Sequence, residues 1–202
     1  MRLGMHTYSL YHHGVAEDWA GFTLPWERQL TLFEMMDYIK TLGLEGLHLD
    51  AKALDRMDPE YFEQVRQYAR DRDLYLEFNF ALKSGEYDAA VQFDIPEGVS
   101  IAHGIGADVA KIGMNLKRPR PVAAGKFHPD MMVQLENVVK KVTAALDVVE
   151  KTGVKLALEN HTDAFSEEVL WVLDQIDHPL VGACIDTVNG IHVTENPITA
   201  VE

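Results

Sequence analysis

Glu159 and Asp186 each close a short apolar run, KLALE and VGACID, and they invite a chemical reading first. Side chains alternate between the two faces of a strand, so both carboxylates fall on the same parity at the ends of consecutive strands. Two ionised carboxylates side by side repel unless one takes a proton or a cation lies between them. Three readings are open: a shared-proton pair, two independent caps on the loops that follow, or a site for Mn²⁺, Mg²⁺, Co²⁺ or Zn²⁺ completed by nearby imidazoles. The same parity gathers His6, His48, Glu77 and Lys111. A lysine inside an otherwise apolar run is costly unless paired. Glu77 on the neighbouring strand is its expected partner, the alternatives being a grip on a substrate carboxylate or a Schiff base. His6, His48 and Glu77 are candidates for binding substrate hydroxyls, against the simpler reading of His6 and His48 as satisfied core histidines. His161 follows Glu159 by two residues and is placed to contact substrate or to orient the glutamate.

The elements that carry these residues repeat. Six apolar runs, Leu3 to Ser9, Gly46 to Asp50, Leu74 to Asn79, Val109 to Gly113, Lys155 to Asn160 and Val181 to Asp186, alternate with amphipathic helical patterns. That alternation predicts parallel strands joined by helical crossovers. Leu47, Leu49, Leu76, Phe78, Leu156 and Leu158 occupy the face for helices to cover, and the ionisable residues occupy the other. A barrel lumen open at the C-terminal ends of its strands satisfies both demands. Helices are predicted over Leu30 to Leu42, Pro59 to Arg72 with Asp58 as N-cap, Val91 to His103, Pro129 to Lys151, and from a Ser166 cap to Ile176. Helix, glycine and strand recur at Gly43, Gly106 and Gly153, the rhythm of a (β/α)₈ barrel. Six units are visible where a closed barrel needs eight, so the expected fold is an α/β (β/α)₈ TIM barrel truncated after about six βα units, in preference to an open doubly wound sheet. Residues 1–202 form one domain in this reading.

Composition narrows the function. A net charge of −14 argues against a nucleic-acid partner, which would need clustered Lys and Arg. The stretch Lys117-Arg118-Pro119-Arg120 is short and reads as a solvated loop, with contact to an anionic substrate as the alternative. The single Cys184 excludes an intrachain disulfide and suits a reducing compartment. No signal-peptide pattern and no bilayer-length apolar stretch occurs, so a cytoplasmic protein without membrane contact is expected. A small-molecule substrate and a homo-oligomer are compatible with all of this. Tyr11, His12, His13, Trp19, Phe22 and Trp26 near the first strand read as a loop tip and its packing, with an apolar wall over a sugar ring as the alternative.

The segments MRLGMHTYSL, TLGLEGLHLD, LALENH and ACIDTVNG together resemble the sugar phosphate isomerase/epimerase family, which has a xylose-isomerase-like barrel. The resemblance runs in order along the visible chain. It implies that Glu159 and Asp186 bind a divalent cation, and that Glu159 moves the proton beside a carbonyl through a metal-stabilised enediolate. The family completes its metal site with a His and a Glu from strands seven and eight, which have no counterpart here. The implied function is a metal-dependent isomerase or epimerase of a keto-sugar or sugar derivative. The alternative is a lyase: a decarboxylase of an oxidised sugar acid, a dehydratase or a keto-glycoside-cleaving subunit. Apurinic-site endonucleases share the barrel, but the acidic balance speaks against that activity.

Overall fold

A computed structural model describes residues 2–12, 30–83, 89–119 and 125–201, with the side chains of 11 and 12 excepted. In chain order the elements are β1 (Gly4–His6), α1 (Thr7–His12), α2 (Leu32–Thr41), β2 (Gly46–Asp50), α3 (Pro59–Arg70), β3 (Tyr75–Leu82), β4 (Gln92–Phe93), α4 (Ile95–Ile105), β5 (Val109–Gly113), α5 (Pro129–Thr143), α6 (Leu146–Thr152), β6 (Lys155–Glu159), α7 (Ser166–Ile176) and β7 (Val181–Cys184). The strands pair in the order β1-β2-β3-β5-β6-β7, all parallel, with the short β4 added beyond the middle of β3. This is the expected βα succession with one addition. β4 falls inside the helix expected over Val91 to His103, which begins only at Ile95, where the Asp94 cap and a proline start it. β1 and β7 each have a neighbour on one side only among the described residues.

Local chemistry sets the element boundaries. Thr31 caps α2 in a reciprocal box with Glu34: the Glu34 N–H reaches Thr31 Oγ1 at 3.3 Å and the Thr31 N–H reaches Glu34 Oε2 at 2.7 Å. Asp58 caps α3 by accepting the Tyr61 N–H at 3.0 Å, with Pro59 at the first helical position where no amide is needed. Helix α4 stops at Gly106, whose φ of 79° suits a residue without Cβ.

Three further expectations need correction. The single helix predicted over 129–151 is two, because the turn tightens where the Ala145 N–H bonds the Val142 carbonyl, three residues back instead of four. No proline or glycine marks that break. Ser166 is the first residue of α7 and not its cap, since its N–H and hydroxyl both turn to the Glu195 carboxylate, the hydroxyl at 2.6 Å. Strand β7 ends at Cys184, two residues before Asp186.

The parity expectation holds on β2, β3, β5 and β6, while on the edge strand β7 Ala183, expected under the helices, is exposed. Leu47, Leu49, Phe78, Phe80, Ala110, Ile112, Leu156 and Leu158 are buried under the helices. The opposite face carries Gly4 and His6 of β1, Gly46 and His48 of β2, Tyr75, Glu77 and Asn79 of β3, Lys111 of β5, Glu159 of β6 and Cys184 of β7. Its floor is the Tyr75 ring, which lies so close over Gly4 and Gly46 that a Cβ at either would fall well inside van der Waals contact. The Arg2 guanidinium stands 5.0 Å from the centre of that ring and closes the lumen from below.

Candidate active site at the C-terminal rim

Above the floor, strand register puts His6, His48 and Glu77 level with one another. The two imidazoles meet edge to face, 4.3 Å between centroids. His6 Nδ1 accepts the Tyr8 N–H at 2.8 Å, and His48 Nδ1 lies 3.9 Å from Glu77 Oε2. His48 Nε2 is buried with no hydrogen-bond partner among the described residues. Burial, reinforced by the Lys111 charge, pulls His6 down to about 3. Burial, then His6 and Lys111, puts His48 well below its ordinary value. Both rings are therefore neutral at pH 7. Burial pushes the Glu77 carboxyl up.

One level higher, the expected Lys111–Glu77 pair does not form. Lys111 Nζ instead bonds Glu159 Oε2 at 2.6 Å, and the two side chains are 11% and 9% exposed. Register explains the change of partner. Glu77 stands opposite Val109, two residues below Lys111, while Glu159 is level with Gly113, two residues above it. The lysine stem leans toward the strand's C-terminal end and reaches the glutamate there.

Asp186 lies past the end of β7 but is tied to β6. The Asn160 side chain clasps its backbone on both sides, accepting the Asp186 N–H at 2.7 Å and donating to the Asp186 carbonyl at 2.9 Å. Asn160 is fully buried and escaped the sequence reading, although its place directly after Glu159 was a usable signal. Asp186 Oδ1 accepts the Val188 and Asn189 N–H groups at 2.9 and 3.1 Å, so this carboxylate does cap the turn that follows it. Cys184 sits on the lumen side of β7 and reports on its surroundings. Burial, with Glu159, Glu77 and Asp186 close by and only Lys111 opposing, pushes its thiol up to about 11. That thiol is not a nucleophile at neutral pH.

His161 lies on the loop after β6, with Thr162 Oγ1 3.3 Å from its Nδ1. Asp163, missed in the sequence, accepts the Leu116 N–H through Oδ2, and its buried Oδ1 has no partner among the described residues. Burial pushes this carboxyl up, against the opposing pull of the Leu116 N–H and His161. Arg118 overturns the solvated-loop expectation, because its side chain is buried in an ion pair with Glu168. Arg120, His13, Trp19, Phe22 and Trp26 lie outside the described residues, as do the side chains of Tyr11 and His12.

Among the described residues no group of three or more His, Cys, Asp and Glu side chains is arranged to hold a metal ion. Glu159 Oε1 and Asp186 Oδ2 make no hydrogen bond among those residues, so each carboxylate keeps a hard oxygen donor. That donor chemistry fits part of a divalent-cation sphere. No helix among the described residues is long and apolar enough to cross a membrane.

A sequence model described as xylose isomerase-like TIM barrel matches residues 36–201. The chain belongs to the xylose isomerase-like TIM barrel family. No curated protein sequence matches it at a significant level. Solved structures of this barrel type superpose on it at low identity. D-Psicose 3-epimerase in the presence of D-fructose gives a TM-score of 0.66 at 14% identity, covering 96% of this chain and 66% of that one. The IolI protein with a bound zinc atom gives 0.65 at 15%, covering 100% and 68%. The probable 3-DHS dehydratase AsbF of Bacillus anthracis gives 0.63 at 13%, covering 99% and 68%. At such identities the likeness establishes the fold, and the chain spans about two thirds of the length of each.

Proposed function

We propose that this chain belongs to a divalent-metal-dependent isomerase or epimerase acting on a keto-sugar or sugar derivative, in the cytoplasm. The observation that carries the reading is the buried Lys111–Glu159 pair at 2.6 Å, next in sequence to the Asn160 that clasps the Asp186 backbone, at the C-terminal ends of parallel strands, the end where barrel enzymes assemble their sites. Lys111 orients the glutamate through Oε2, and the Glu159 carboxylate takes the proton from the carbon next to a carbonyl. Delivery of a proton from an acid on the opposite face of the same carbon gives an epimer, and return of the abstracted proton to the neighbouring carbon gives an isomer. His6, His48 and Glu77 below bind the sugar hydroxyls: a neutral imidazole both donates and accepts, and His48 Nε2 is left unsatisfied without a ligand. His161 faces the substrate from the rim. A divalent cation (Mn²⁺, Mg²⁺, Co²⁺ or Zn²⁺) held by Glu159 and Asp186 would withdraw electron density from the carbonyl oxygen.

A lyase is the second reading. A buried amine near the reacting carbon would also serve a substrate carboxylate, and the probable dehydratase of the same fold is consistent with that chemistry. Deuterium exchange into neutral ketohexoses, D-fructose included, tests the proposal. Exchange beside the carbonyl is expected, with Glu159→Gln slowing it by at least about 100-fold. Loss of CO₂ or formation of an alkene without exchange would favour the lyase. Metal content should fall in both Glu159→Gln and Asp186→Asn, and stoichiometric metal in both would remove the ligand assignment.

A further inference from the structure

The basic stretch after β5 finds no use in the site chemistry, yet its Arg118 is almost completely buried. We infer that Arg118 is a positioning residue: through Asp163 it fixes the loop that carries His161. The activity arm of this inference rests on the functional reading above, and the structural arm does not.

Among the described residues the guanidinium reaches three acceptors. Nη2 bonds the Glu168 carboxylate, Nε donates to the Asp163 carbonyl at 3.0 Å, and Nη1 donates to the Gly125 carbonyl at 3.4 Å. Its plane stands 4.9 Å from the centre of the Phe165 ring. Glu168 in turn accepts the Phe127 and Phe165 N–H groups, each at 3.0 Å. Asp163 Oδ2 accepts the Leu116 N–H. Arg118 thus stitches the rim loop that follows Lys111's strand to the loop after Glu159's strand through the Asp163 carbonyl, and to the first turn of α7 through Glu168. His161 lies between the end of β6 and this stitch, two residues from Glu159 and two from Asp163, in a segment with no strand ladder to hold it.

A buried ion pair is weak evidence for stability, because desolvation offsets much of its attraction and an apolar pair of similar volume is often no less stable. What such a pair supplies here is direction. Several acceptors lie around one flat group, and a lysine ammonium cannot present donors in that plane. Removing either partner alone would strand a charge, so the informative replacement removes both.

The test uses the full chain with a chelator present, selectively carbon-labelled at histidine, the His161 ring signal being identified by its loss in His161→Gln. In Arg118→Met/Glu168→Leu the chain is expected to fold with a melting temperature near the wild type's, while the His161 ring signal moves and broadens. Arg118→Lys is expected to move the same signal despite keeping the charge. On D-fructose, kcat/KM should fall about 100-fold in the double variant, as for a displaced substrate contact. A folded double variant with the wild-type His161 signal would overturn the inference. If both variants unfold, Arg118 is a requirement of the fold and the positioning role is likewise overturned. Absence of exchange by the wild type itself would sink the functional reading alone, leaving the histidine signal to decide this one.

Discussion

At the scale of single residues, the lumen holds its charges by pairing one and neutralising others. Lys111 and Glu159 are each about one-tenth exposed, so neither charge has enough water to stand alone. Lys111→Met should destabilise the chain by about 3–5 kcal/mol, the cost of stranding a buried charge. Adding Glu159→Gln should recover most of it, as urea unfolding will measure. Neutral His6 makes the opposite kind of contribution. Its pKa falls from the ordinary 6.5 to about 3 on folding, so between those values the unfolded chain binds the extra proton. Its share of stability is complete above pH 6.5 and is lost as the pH falls toward 3. At pH 5 that loss is about 2 kcal/mol. Unfolding free energies at pH 7 and 5 should show it, and His6→Gln should flatten the slope.

Strands and helices add constraints that single residues do not carry. The floor of the lumen depends on β1 and β2 bringing two glycines under one tyrosine of β3. Gly46→Ala would drive a methyl group into the Tyr75 ring, at a cost of about 1–3 kcal/mol for overpacking. Tyr75→Val in the same chain should restore stability measured by thermal melting, because the obstruction is the ring and not the backbone. On the helix side, Glu195 from the C-terminal segment replaces the expected serine cap by accepting from Ser166 at the start of α7. The last described segment is thereby anchored to the helix whose Glu168 holds Arg118.

For the molecule as a whole, the governing facts are a parallel sheet with an unpaired edge among the described residues and a strong negative charge. β7 offers unpaired backbone groups along its outer side among the described residues, and Val188, Ile191 and Ile198 are exposed just beyond it. Such an edge is a template for another strand. The charge of −14 opposes association at low ionic strength, and salt screens that repulsion. Sedimentation should therefore reveal self-association that grows with salt. Ala183→Lys, at an exposed position on β7, should suppress it.

The alternation of apolar runs and amphipathic stretches was enough to give parallel strands, crossover helices and the face on which each lumen residue lies. Those follow from period and order, which are local properties of a chain. Asp58 and Gly106 mark helix ends for the same reason, since capping is chemistry between near neighbours. Partner choice was beyond the sequence. Whether Lys111 meets Glu77 or Glu159 depends on strand register and on the lean of a long side chain, and both are set only when neighbouring strands pair. Asn160 clasping Asp186, Asp163 under Leu116 and Arg118 buried against Glu168 likewise join residues 26, 47 and 50 positions apart. No periodicity encodes those meetings. Only the closing of loops over the rim creates them, because a buried polar group accepts whatever partner packing brings within reach.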